Sequence, residues 1–194
     1  MTRISSPVLV DNWSRSSAAL DLMWIAGFSL LTAVLAQIRI PLPFTPVPLT
    51  GQTFAVLLAG AVLGSRRGFL SQALYLVEGA AGLPVFAGGA AGFTYLFGPT
   101  GGYLWSYPLA AALVGWLVER GASRSAWRLT LALGFSSVLI LASGTLWLHR
   151  LMGYAWNEAW LAGFYPFLPG DVLKIVLVGA SLPQFLKRVR PTTE

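Results

Sequence analysis

The stretch "FLPGDVLKIVLVG", Phe167–Gly179, places two charges, Asp171 and Lys174, at the entrance to an apolar run. Pro169 and Gly170 break the preceding chain, so the run reads as a helix that begins there, and an aspartate at a helix start caps it by accepting free N–H groups. Capping accounts for Asp171 but not for Lys174, because a cation in the first turn opposes the helix macrodipole. Three residues apart, the two side chains share a face and set an acceptor beside a donor. Whether the pair caps a helix or grips a ligand depends on the solvent around it.

That solvent is read from composition. The 194 residues include thirteen Lys and Arg and seven Asp and Glu against 56% apolar types, with a mean hydropathy of +0.68. This is more apolar matter than a single water-soluble core of this size buries, and it points to lipid. A charge pair at the edge of a membrane span is by default a functional site, which favours gripping over capping. The absence of cysteine excludes disulfides, thiolate catalysis and cysteine-bound zinc, and the single histidine, His149, leaves little for a metal centre. An intramembrane hydrolase needs a metal cluster, an aspartate dyad or an activated serine, and those parts are missing. No enzyme activity and no cofactor are expected. Neither lysine follows the glycine spacing of a phosphate-binding loop. The net charge of +6 is spread in small clusters between apolar segments, a membrane-topology pattern and not a nucleic-acid stripe.

Six apolar candidates follow one another: Leu20–Ile38, Thr53–Gly64, Gly68–Gly82, Tyr103–Val118, Leu129–Leu148 and Asp171–Leu186. About 20 residues cross a hydrocarbon core, so the second and third are short, and the loops beside them must sink into the protein to complete the depth. With both termini in the cytoplasm, ten of the thirteen Lys and Arg face inward, leaving only Arg39, Arg150 and Lys174 outside. Trp116 and Trp127 flank one connection, and Trp147, Trp156 and Trp160 another, as interfacial anchors do. The expected fold is an all-α membrane protein of six transmembrane helices with both termini cytoplasmic. A polar tail (1–19), which lacks the features of a cleaved signal, precedes a transmembrane substrate-binding domain (20–186) and a basic tail (187–194).

The outer connections carry the unusual sequence. "RIPLPFTPVPLTGQT", Arg39–Thr53, has prolines at 41, 43, 46 and 48 and reads as extended chain; its apolar residues favour a packed loop lining a cavity, with Gln52 at the helix entrance. Gly82–Gly102 is a 21-residue uncharged loop with seven glycines and the aromatic residues Phe86, Phe93, Tyr95 and Phe97, the composition of a binding loop or of a plug. Thr100 is placed to cap the helix that follows. Glu78 is the other costly charge, and a structural pairing with Arg39 or Arg150 is expected for it.

In order along the chain, "PLPFTPVPLTGQT", "GLPVFAGGAAGF", "GPTGGYL" and "PFLPGDVLK" resemble the biotin transporter (BioY) family, the substrate-capturing S-components of energy-coupling-factor vitamin importers. The resemblance extends from about Ile38 to Leu186. It implies a six-helix bundle in the bacterial cell (inner) membrane that takes biotin from outside, in a pocket between the last three helices closed by outer loops 1, 3 and 5. Carried over, Asp171 and Lys174 meet the ureido ring, the carboxylate accepting from its N–H groups and the ammonium donating to its carbonyl. Gln52 and Tyr103 stand near the ligand, and Phe86 and Tyr95 pack on its thiophane ring and valeryl chain. The resemblance also implies partners, a coupling transmembrane subunit and two ATPase subunits. Ser29 with Ala33 and Thr32 with Ala36 offer small-xxx-small faces on the first helix for such a contact. An S-component for thiamine or riboflavin and a structural membrane subunit are the rival readings.

Overall fold

The computed structural model describes residues 17–189; the N-terminal segment to residue 16 and residues 190–194, where most of the two expected tails fall, lie outside them. Seven α-helices are found among the described residues: α1 (Ala18–Ala36), α2 (Gln52–Leu63), α3 (Ser65–Ala80), α4 (Gly101–Glu119), α5 (Ala126–Met152), α6 (Trp156–Gly163) and α7 (Leu168–Val189). Six of them match the expected apolar segments. The additional one, α6, lies in the connection after α5, where Trp156, Trp160 and Leu161 are too few to show a period in the sequence.

Three stretches, Ala18–Ala36, Ala126–Met152 and Trp156–Gly179, are long and apolar enough to cross a membrane. The outward faces are apolar: Leu30, Phe135 and Leu173 are each more than 60% exposed, while Ser29, Thr32, Ser71, Gln72 and Ser136 are fully buried. A water-soluble bundle has the opposite arrangement. Polar groups turned inward and leucines turned outward suit a hydrocarbon solvent, where buried hydroxyls and amides satisfy one another.

The two ends differ as the charge pattern requires. At one end Arg67 pairs with Asp21 at 2.9 Å, and the Glu119 carboxylate accepts from the backbone N–H and hydroxyl of Ser65 at 2.7 and 2.8 Å, which caps α3 across to the end of α4. Arg120 lies 3.7 Å over the Trp116 ring. At the other end stand the Pro-rich loop, the Gly-rich loop and the α5–α7 connection. The Pro-rich loop folds back on itself: strands β1 (Arg39–Ile40) and β2 (Leu49–Thr50) form a two-rung antiparallel ladder at its base, with Arg39 opposite Thr50. The loop is packed only in part: Thr45 and Val47 are buried, while Phe44 at its tip is 62% exposed, against the expectation of a wholly packed loop.

Two expectations change here. The small-residue face of α1 is not on the outer surface. Ser29 donates to Glu78 at 2.5 Å, Thr32 and Gln72 bond to each other, and Ala33 and Ala36 are buried, so α3 of the same chain occupies that face. Small side chains permit this approach, and the hydroxyls then satisfy polar groups that lipid would leave bare. Glu78, in consequence, takes its hydrogen bond from Ser29 and makes no ion pair with Arg39 or Arg150. Arg39 turns instead over the Gly-rich loop, where Gly88 has φ +71 and a Cβ would overlap the guanidinium.

Candidate functional site

The loops of the end opposite Arg67, together with helices α2, α4, α5 and α7, enclose a cavity that is open at its mouth. Of the residues expected at a ligand, Gln52, Tyr95, Tyr103, Asp171 and Lys174 line it. They come from four separate parts of the chain.

Asp171 is 4% exposed and Lys174 is half-buried beside it, the ammonium 3.3 Å from Oδ1. Helix α7 begins at Leu168, so Pro169 and Gly170 sit in its first turn and Asp171 is its fourth residue. The capping reading is thereby corrected: the carboxylate points sideways, accepting from Thr53 Oγ1 at 3.3 Å and from the Ser137 hydroxyl on α5 at 2.5 Å. Lys174 Nζ donates to the Thr50 carbonyl at 2.9 Å and to Thr53 Oγ1 at 2.7 Å, tying α7 to the end of the Pro-rich loop. A buried ion pair survives only where further hydrogen bonds offset its desolvation, and here three other groups supply them. The result is an oriented acceptor and an oriented donor on one wall of the cavity.

Gln52 is held by the Thr50 hydroxyl, which donates to Oε1 at 2.9 Å, and by the Tyr75 hydroxyl, which accepts from Nε2 at 2.5 Å and donates onward to the Val85 carbonyl at 3.1 Å. The amide therefore locks α2 to α3 and to the Gly-rich loop while one edge faces the cavity. The Tyr103 hydroxyl donates to the Gly163 carbonyl at 2.5 Å, fixing the end of α6 against α4, and its ring packs 5.9 Å from Phe167. Tyr103→Phe is expected to cost about 1 kcal/mol by orphaning that carbonyl, which a thermal melt registers as a drop of about 2–4 °C.

Phe86 is placed differently from its expected role. It is fully buried, stacked on Tyr95 at 4.9 Å and edge-on to Tyr75 at 5.6 Å, and its ring lies over Gly79 where any Cβ would overlap it. It backs the wall that Tyr95 presents to the cavity. Phe86 is more apolar than Tyr95, whose hydroxyl prefers the polar side, and that difference decides which of the stacked rings goes behind. The Gly-rich loop is further pinned by Trp105 and Trp147, whose indole N–H groups donate to the Leu96 and Gly98 carbonyls at 3.0 and 2.9 Å. Thr100 stands at the N-cap of α4 without making a side-chain capping bond.

Thr50, Thr53, Ser137 and Tyr107 complete the polar surroundings, and none of them stands out in the sequence as a site residue. A signal exists for Ser137, a serine midway along the longest span, where hydroxyls commonly bond their own helix carbonyls; its neighbour Ser136 does so, to Ala132 at 3.0 Å. Nothing local separates the two.

Comparison with known proteins places this arrangement. A family model described as "BioY family" matches residues 9–191. A protein of Pyrococcus horikoshii named "Probable biotin transporter BioY" is 41% identical over 156 residues, covering 80% of this chain and 90% of its own. One of Thermotoga maritima named "Biotin transporter BioY" is 40% identical, covering 84% and 92%. The crystal structure of an S-component for biotin from an ECF-type ABC transporter superposes with a TM-score of 0.82 at 24% identity, covering 90% of this chain and 94% of that one, and so shares the fold.

Proposed function

The chain belongs to the BioY family, and from that premise we propose that it is the biotin-capturing S-component of a vitamin importer in the bacterial inner membrane. The observation that carries the reading is the buried Asp171–Lys174 pair on the wall of the outer-end cavity, held so that one group accepts and the other donates. A cyclic urea presents the complement, N–H donors beside a carbonyl acceptor, and charge-assisted bonds in a low-dielectric site are strong. Tyr95, Tyr103, Leu104 and Phe167 supply flat apolar wall for the sulfur ring and the aliphatic chain.

In this reading the helices α1 to α5 and α7 each cross the bilayer, with the Arg67 end in the cytoplasm and the cavity facing outward. The chain has no nucleotide-binding loop of its own, and a coupling transmembrane subunit with two ATPase subunits drives release inside. The contact with that assembly lies elsewhere than on Ser29, Thr32, Ala33 and Ala36, whose face α3 already fills.

Equilibrium binding of biotin, thiamine and riboflavin to the detergent-purified chain tests the proposal. Saturable binding of biotin alone is expected. Binding of thiamine or riboflavin in its place would reassign the substrate, and binding of none would make the chain a structural subunit.

A further inference from the structure

Three tyrosines of the bundle are almost fully buried around the cavity: Tyr75, Tyr103 and Tyr107, at 0, 6 and 3% exposure. Two have protein acceptors for their hydroxyls, the Val85 and Gly163 carbonyls. The Tyr107 hydroxyl has no hydrogen-bond partner among the described residues, although its side chain lines the cavity. The hydroxyl opens onto the cavity and is not sealed inside the protein, so it is free to bond to whatever enters, whereas a phenylalanine would fill the same volume and offer no such group. The hydroxyl is accounted for by a partner that arrives in the cavity.

Its position says which part of the ligand that partner is. Tyr107 follows Tyr103 by four residues on α4, one turn and about 6 Å deeper on the same face. Leu141 of α5 lines the cavity with it, one turn along α5 from Ser137, whose hydroxyl holds the Asp171 carboxylate. The deep end of the cavity is thus an apolar floor with polar groups on two sides, Tyr107 from α4 and Asp171 with Lys174 from α7.

We infer that the Tyr107 hydroxyl reads the ring end of the ligand, donating a second hydrogen bond to the urea carbonyl oxygen that Lys174 also approaches. This rests on the proposed biotin site and adds a specificity-determining residue to it. A carbonyl oxygen has two lone pairs, so donors from α4 and α7 satisfy both and fix the plane of the ring between the helices. The pairing also favours ligands whose ring end carries a strong acceptor in reach of both donors.

The test is Tyr107→Phe in the full chain, with two ligands and one stability readout. Biotin affinity is expected to fall about tenfold, as for one lost hydrogen bond in a closed site. The ligand-free protein should melt no lower than the unsubstituted chain, because the hydroxyl bonds nothing in the protein; Tyr103→Phe, which does lose a bond, is the contrasting control. The second ligand is the thiocarbonyl analogue of biotin, in which sulfur, a much weaker hydrogen-bond acceptor, replaces the ring oxygen. Its affinity should change little, so the preference for biotin over the analogue narrows about tenfold. Biotin affinity within twofold of the unsubstituted chain, or an equal loss for both ligands, would overturn the inference while leaving biotin as the ligand. Failure of the unsubstituted chain to bind biotin would remove the proposed site and this role together.

Discussion

Lys174→Ala is expected to weaken biotin binding by roughly tenfold to hundredfold, and Asp171→Asn by a similar factor, the range of one lost charge-assisted hydrogen bond. The two substitutions should differ in what they do to the empty protein. Lys174→Ala removes the ammonium 3.3 Å from Asp171 and leaves a carboxylate of 4% exposure supported only by Thr53 and Ser137. Breaking one side of a buried pair costs about 3–5 kcal/mol, so this variant should also melt lower. Asp171→Asn keeps the size and one acceptor oxygen, while Lys174 retains Thr50 and Thr53 as acceptors, so its stability should suffer less. Calorimetric titration alongside a thermal melt separates the two effects. Unchanged biotin affinity in both variants, with the bundle intact, would return the pair to a purely structural role.

Gly60→Val should destabilise the bundle itself by about 3 kcal/mol or more, the upper end for overpacking, seen as a melting point about 6–12 °C lower. Gly60 lies where α2, α3 and α4 meet. A Cβ there would overlap the Ala111 carbonyl of α4 and come within 2.8 Å of the Val114 Cβ, while on α3 a Cβ at Gly68 would stand 3.1 Å from the Gly60 Cα. Backbone on both sides cannot rotate away, so the helices must part. Helix propensity alone predicts the opposite sign, since glycine is about 1 kcal/mol worse than alanine within a helix. Gly134→Ala on α5 exposes the difference: nothing stands within 4 Å of its added Cβ, and it should be neutral or slightly stabilising. A Gly60→Val protein that melts like the parent would mean that these helices are not packed as closely as described.

Much of the site is legible in the amino-acid sequence because lipid penalises charge so heavily. A chain with so few charged residues reveals function wherever it keeps one in or beside a span, and Asp171 and Lys174 do meet at the cavity. The same economy makes the two ends distinguishable, through Arg67 and Arg120 at one and an uncharged Gly-rich loop at the other. Gln52 is recognisable at its helix entrance, whereas Tyr95 and Tyr103 are singled out only by the resemblance of their motifs to a known family. Phe86 is misplaced by the same reasoning. Two aromatic residues nine positions apart in a loop look alike until they stack, and only the stacked pair has a front and a back.

Sequence by itself determined the apolar solvent, the order of six of the seven helices, the separation of a basic end from a loop-rich end, and the one charged pair worth suspecting. These are properties of residue composition along a line, and transfer free energy into lipid depends on little else. Tertiary structure alone decided that Asp171 turns toward Ser137 and away from its helix start, that the small face of α1 is spent on α3, and that Tyr107 is left without a partner while Tyr103 is not. Each of these depends on the rotation of one helix against another. That rotation is set by the summed packing of whole faces, which no single stretch of chain contains.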